Sequence, residues 1–214
     1  MPVLPHMKFT PPVDEQKARM RKQAVTRRAR LAAEYNASLR RNETGLARFA
    51  ASLIDQFYPS VVAGYWPMQS EIDVLPLLSE LQNKGVRLCL PITGPAGSPL
   101  SFHYWAFGTV LDTGRFGIQQ PFPDTEQLLP DVICVPLLAF DSKFQRLGYG
   151  GGYYDKSIID LKKHFKKEKK FFITIGLAYS IQEEKKIPKE KHDMKLDYII
   201  TEKEVLSNFN QKKY

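Results

Sequence analysis

Apolar positions along the chain recur with two spacings. Between residues 14 and 41 a basic stretch carries a weak stripe of Val25, Ala29, Ala32, Asn36 and Leu39, three and four apart, which predicts a long helix. A second helix is predicted over 45–57, with Leu46, Phe49, Ala50, Leu53, Ile54 and Phe57 on one face and Pro59 ending it. A third is expected after Asp73, a capping residue, with Pro76 in its first turn. Its face would be Val74, Leu77, Leu78 and Leu81, and Gly85 suits its carboxyl-terminal cap. Short apolar runs at 60–66 (SVVAGYW), 86–91 (VRLCLP), 101–107 (SFHYWAF), 171–179 (FFITIGLAY) and 197–201 (DYIIT) read as strands. The run DVICVPLLAF, 131–140, is unbroken and suits a central strand covered on both faces. Residues 93–100, TGPAGSPL, form a turn-rich loop.

Strands alternating with helices predict a single α/β domain with a central, mostly parallel sheet and helices on both faces, Rossmann-like. Ligands of such folds bind at the carboxyl ends of the strands. The domain is expected over 14–206, after a proline-rich leader (1–13) and before a short tail (207–214). With 214 residues, 43% hydrophobic and 25% charged, the chain is long enough to bury one core. No apolar run approaches the roughly 18 residues of a membrane span, so no membrane partner is expected. Cys89 and Cys134 lie inside strand-like runs and read as reduced core thiols, which fits a cytoplasmic protein.

Charge changes the picture. The balance is 31 − 23 = +8, which favours a polyanionic partner. The excess lies in KARMRKQAVTRRAR and in KKHFKKEKK, residues 162–170. The second reads as a solvated helix end. A basic nucleic-acid-binding module is the alternative, but no zinc-finger or RNP-like aromatic motif supports it.

The segment FDSKFQRLGYGGGYYDK, 140–156, carries the chemistry. It places Gly148, Gly150, Gly151 and Gly152 within five positions, and glycines let backbone N–H groups turn toward a phosphate. A helix starting near Tyr153 would offer its positive end to the same anion. Arg146 precedes the loop and suits forked pairing with phosphate oxygens. Asp155 follows it and suits magnesium, which prefers carboxylate and phosphate oxygens. The common nucleotide motifs GxxxxGK[ST] and GxGxxG both fail, because Tyr153 and Tyr154 stand where a further glycine is needed.

RLGYGGGYYD, preceded by the strand-end FD, resembles the signature of the 5-formyltetrahydrofolate cyclo-ligase (methenyltetrahydrofolate synthetase) family. Supporting segments follow in the family's order: Lys17 and Arg21 in KARMR, Glu71-Ile-Asp73, Gly117-Ile-Gln-Gln-Pro121, and His192-Asp193 before Asp197-Tyr-Ile-Ile-Thr-Glu202. The resemblance covers residues 15–205, with one departure at Phe144, where members often carry glycine. It implies an ATP- and Mg2+-dependent enzyme that closes 5-formyltetrahydrofolate, with or without a polyglutamate tail, to 5,10-methenyltetrahydrofolate. The formyl oxygen would be phosphorylated to an iminophosphate, and ADP and phosphate would be released.

By that resemblance ATP would meet Lys17, Arg21, Arg146, Leu147, Gly148, Tyr149, Gly150, Gly151, Gly152, Tyr153 and Tyr154, with Arg146 catalytic. The folate would meet Trp66, Glu71, Phe116 and residues 149–153 of the same loop. Asp155 and Asp193 would hold the metal. A carboxylate at Glu71 can accept two N–H bonds side by side from a pterin edge, and Trp66 can stack on its plane. Arg28 shares the helix face of Lys17 and Arg21 but is expected to be solvated. The enzyme is expected to act as a monomer, without nucleic acid.

Overall fold

The computed structural model describes residues 11–34 and 36–211. In chain order the helices are α1 (Val13–Glu34), α2 (Asn36–Asp55), α3 (Leu75–Asn83) and α4 (Tyr153–Lys167). The strands are β1 (Val61–Ala63), β2 (Arg87–Ile92), β3 (Ser101–Tyr104), β4 (Asp112–Thr113), β5 (Gln119–Gln120), β6 (Gln127–Leu128), β7 (Val132–Val135), β8 (Ala139–Asp141), β9 (Arg146–Leu147), β10 (Ile173–Leu177), β11 (Glu183–Glu184), β12 (Tyr198–Ile200) and β13 (Val205–Ser207).

Eight strands form the main sheet in the order β13-β12-β10-β7-β1-β2-β3-β6. Its five central strands, β12 to β2, are parallel, and antiparallel strands close both edges. The α/β class and mostly parallel sheet expected from sequence are therefore present. Alternate side chains go to opposite faces. Val62, Cys134 and Ile175 join Leu46, Ile54, Leu77 and Leu81 of α2 and α3 on one face. Val61, Ala63, Ile133 and Val135 join Ile158, Leu161 and Phe165 of α4 on the other. Both cysteines are free and buried, and burial pushes their thiols up, Cys134 to about 12.

Several boundaries move. The expected strand 131–140 is two strands. β7 stops at Val135, before Pro136, which has no N–H to give a ladder. The chain then turns into β8, the middle of a separate β11-β8-β9 sheet. Strand 60–66 shrinks to the three residues of β1. The first predicted helix ends at Glu34, and α2 starts nine residues before the expected 45. Its Phe49, expected on the core face, is 47% exposed.

The face α1 buries carries charge beside part of the expected stripe. Val25 is half-buried and Ala29 exposed, while Lys17, Ala24 and Arg28 are buried. The side chains of Ala32, Asn36 and Leu39 lie outside those described. Helix α3 follows the expected pattern: the Asp73 carboxylate accepts the Leu75 N–H at 2.9 Å, and Gly85 turns the chain out at φ +82°. Past position 206, β13 continues to Ser207 on the sheet edge, and a short turn of helix, Asn208–Gln211, sets Phe209 against Tyr198. Residues 1–10 and 212–214, parts of the expected leader and tail, lie outside the described residues.

The centre of the sheet leaves no room at Gly176 in β10. A Cβ there would stand 2.5 Å from Leu196 Cδ1 and 2.8 Å from Leu137 Cδ2, both fully packed leucines. Gly176→Ala is expected to lower unfolding free energy by about 1–3 kcal/mol through overpacking. Urea denaturation followed by circular dichroism measures this, and an unchanged midpoint would contradict the packing described.

Candidate active site

Helix α1 lies over the carboxyl ends of the central strands and turns three cations inward. Lys17, Arg21 and Arg28 are spaced four and seven apart, so one face carries them all. A buried charge must be paired or hydrogen-bonded, and each finds a different loop. Lys17 Nζ donates to Asp193 Oδ2 at 2.6 Å and Glu190 Oε2 at 2.7 Å. Arg21 Nε donates to the Gly148 carbonyl at 2.9 Å. Arg28, 2% exposed, donates to Ser70 Oγ (3.0 Å), the Leu137 carbonyl (3.2 Å) and the Tyr149 hydroxyl (2.6 Å). The expectation of a solvated Arg28 is thus corrected: its guanidinium bridges three segments.

The glycine loop leaves β9 and enters α4. Its shape begins at Asp141, whose buried carboxylate accepts the N–H groups of Lys143, Gln145 and Ile187. The tight β8–β9 turn puts Phe144 at φ +62°, the left-handed region that suits glycine. A phenylalanine there costs about 1–2 kcal/mol of backbone strain. Burial of its ring, 3% exposed, offsets that by a similar amount. Arg146 then points inward, with Nη1 donating to Asp155 Oδ1 at 3.1 Å and to the Met194 carbonyl at 2.9 Å. Leu147 packs in a small core with Ala24 and Ile187. Gly150 sits at φ +104°, and a Cβ on it would come within 3.1 Å of Arg21 Cζ. Gly152, at φ +68°, precedes the first turn of α4. The loop between them is exposed, with the Tyr149 ring 45% accessible. Tyr154 is half-buried, and burial raises its hydroxyl pKa.

Glu71 faces this loop from the segment after β1. Its Oε2 accepts the Met68 N–H at 2.9 Å, while Oε1 is buried with no hydrogen-bond partner among the described residues. Burial pushes the carboxyl up; the Met68 N–H, the Arg28 charge and the Tyr149 hydroxyl pull the other way without prevailing. A buried acceptor left open costs about 1–3 kcal/mol unless a ligand fills it. Trp66 is half-buried and meets Trp105 edge-on at 6.2 Å. Phe116 stands apart, 71% exposed at φ +60° on the tip of the β4–β5 hairpin, with Arg115 over its ring.

The two aspartates expected to hold a metal flank Met194 rather than facing open space. Asp155 Oδ1 accepts the Met194 N–H at 2.9 Å besides its Arg146 bond. Asp193 is committed to Lys17 and to the Glu190 N–H at 2.7 Å. Burial alone would raise Asp193, but the Lys17 ammonium and that N–H hold it below the usual carboxylate range. Among the described residues, Glu190, His192 and Asp193 have ligand atoms within 4.8 Å of one another, a group that omits Asp155. Asp155 and Asp193 offer the oxygen ligands a hard divalent ion prefers, in competition with Arg146 and Lys17. An open cleft of about 600 Å3, edged by Lys162, Lys189, Lys191 and Lys195, adjoins Asp193.

Sequence reasoning named most of these residues but missed Arg28, Ser70 and Glu190. Arg28 had a visible signal, its place on the Lys17–Arg21 face. Ser70 and Glu190 had none beyond their neighbours.

Known proteins match this architecture. The chain is 33% identical over 165 residues to a 5-formyltetrahydrofolate cyclo-ligase of Haemophilus influenzae, covering 72% of this chain and 82% of that protein. It is 33% identical over 159 residues to the enzyme of that name from Escherichia coli, covering 69% and 84%. The solved structure of Aquifex aeolicus 5,10-methenyltetrahydrofolate synthetase superposes with a TM-score of 0.73 at 29% identity, over 92% of this chain and 95% of that one. The Mycoplasma pneumoniae synthetase shares the fold, with a TM-score of 0.66 at 21% identity, over 87% and 98%. The family model for 5-formyltetrahydrofolate cyclo-ligases matches residues 13–202, from the start of α1 to just past β12, and the chain belongs to that family.

Proposed function

We propose that this protein catalyses the ATP-dependent closure of 5-formyltetrahydrofolate to 5,10-methenyltetrahydrofolate, releasing ADP and phosphate. The observation that carries the reading is the open Oε1 of buried Glu71, across from a cation-edged glycine loop. A carboxylate with one unfilled acceptor suits the N–H edge of an aminopyrimidine ring. Trp66 offers a flat apolar surface beside it. Arg21, the Gly150 and Gly152 turns and the start of α4 offer donors to phosphate oxygens. Phe116, exposed on the β4–β5 hairpin, would add a further aromatic face for the folate.

The reaction needs no protein nucleophile. The formyl oxygen attacks the γ-phosphorus and ADP leaves; N10 then attacks the activated carbon and gives up its proton to solvent, and the oxygen departs with phosphate as the ring closes. The chain's share is placement and charge neutralisation, as in other phosphoryl transfers. Glu71 orients the folate. Arg21 and the loop N–H groups hold the phosphates, and Lys17 stands ready beside Asp193. Arg146 acts by fixing Asp155 and Met194 as well as through its charge. Asp193, with Asp155 or Glu190, would hold magnesium, which when bound neutralises phosphate charge. Two free, buried thiols suit the expected cytoplasmic setting.

Mixing the protein with 5-formyltetrahydrofolate, ATP and magnesium should generate the methenyl chromophore, read by absorbance. Omitting ATP or chelating the metal should abolish it. Turnover without ATP, or none with all three, would defeat the reading.

Glu71→Gln keeps the shape but loses the charge. Removing a charged hydrogen-bonding partner costs about 1.5–3 kcal/mol, so KM for the folate should rise about ten- to hundredfold while nucleotide affinity stays within about twofold. Because burial raises the Glu71 pKa, wild-type kcat/KM should fall on acidification at a higher pH than an ordinary carboxylate gives. The variant should lack that limb; steady-state kinetics across pH would show a retained limb if another group were responsible.

A further inference from the structure

Arg28 is buried, only 2% exposed. Yet its guanidinium joins the two halves of the site. One nitrogen holds Ser70, the residue before Glu71; a second holds the Tyr149 hydroxyl inside the glycine loop; a third is braced on the Leu137 carbonyl between β7 and β8. The Tyr149 ring remains 45% exposed, so the loop meets solvent while its hydroxyl is anchored within. A guanidinium is a rigid planar fork, so its three bonds cannot be reoriented independently.

We infer that Arg28 is a positioning residue that couples the nucleotide loop to the folate-binding acid, so that each ligand tightens the binding of the other. The inference rests on the two ligand sites proposed above. Phosphates settling on the glycine loop fix Tyr149. Tyr149 fixes the plane of the Arg28 fork, and the fork fixes Ser70 with its neighbour Glu71. The converse path follows from linkage, which requires equal coupling in both directions. Lysine at this position would keep the charge but offers a single nitrogen in place of the fork.

Titration calorimetry tests this with 5-formyltetrahydrofolate, in the absence and presence of magnesium and a saturating non-hydrolysable ATP analogue. In the wild type the analogue should lower the folate Kd at least about fivefold, the lower end of usual coupling. In Arg28→Lys the ratio should collapse toward one. In Ser70→Ala, a milder change, it should fall at least about twofold from the wild-type ratio, with affinity for the nucleotide alone unchanged. Equal ratios in all three proteins, or a wild type that binds both ligands without synergy, would overturn the coupling role. A wild type that binds neither ligand would instead overturn the proposed function, and this inference with it.

Discussion

The site depends on the withdrawal of three α1 cations from water at the carboxyl ends of the sheet. Burying a charge is costly, and it is tolerated only when partners are supplied with good geometry. The partners come from the loops that would carry the ligands: Asp193 and Glu190 before β12, the Gly148 carbonyl after β9, and Ser70 after β1. Placing α1 therefore places those loops. The small β11-β8-β9 sheet beneath them and the Asp141 turn serve the same end, by bringing Arg146 and the glycine loop to the α1 face.

This arrangement explains why α1 looked weak as a packing helix. Its inward face carries charge, beside Ala24, Met20 and Val25 against the apolar patch of Leu138, Leu147 and Ile187 and Leu31 against the main core. A hydrophobic-stripe argument finds the helix but not the cations its inward face carries, because polar positions normally mark solvent. The spacing of Lys17, Arg21 and Arg28 was legible; that Lys17 and Arg28 are buried and Arg21 half-buried was not, since their partners lie over forty residues away in the chain.

The fold was more legible than the site. Parallel strands buried on both faces announce themselves as apolar runs, as at 132–135 and 173–177. The same rule misled at 131–140, where a second apolar stretch after Pro136 belongs to a different sheet. Phe144 shows a limit of another kind. Its left-handed backbone could not be read from a phenylalanine, and becomes intelligible only with its ring seen in the core. In the site, the glycines, Glu71 and Lys17 were found from motif resemblance; Lys17 pairs with Asp193 and Glu190, and Glu71 lies buried across from the loop. Asp155 and Asp193 proved to be tied into ion pairs, so a metal would have to compete with Arg146 and Lys17 for them.

If the α1 cations both anchor the loops and serve the nucleotide, Lys17 should show both roles. Calorimetric titration of Lys17→Met with a non-hydrolysable ATP analogue and magnesium should show affinity at least about tenfold weaker than wild type, as loss of a charge-assisted contact requires. The same variant should be less stable than wild type at neutral pH. That deficit should shrink on acidification, because Asp193, held below the usual carboxylate range by Lys17, loses its stabilising charge as pH falls through its lowered pKa. A folded Lys17→Met protein with wild-type nucleotide affinity would contradict the account.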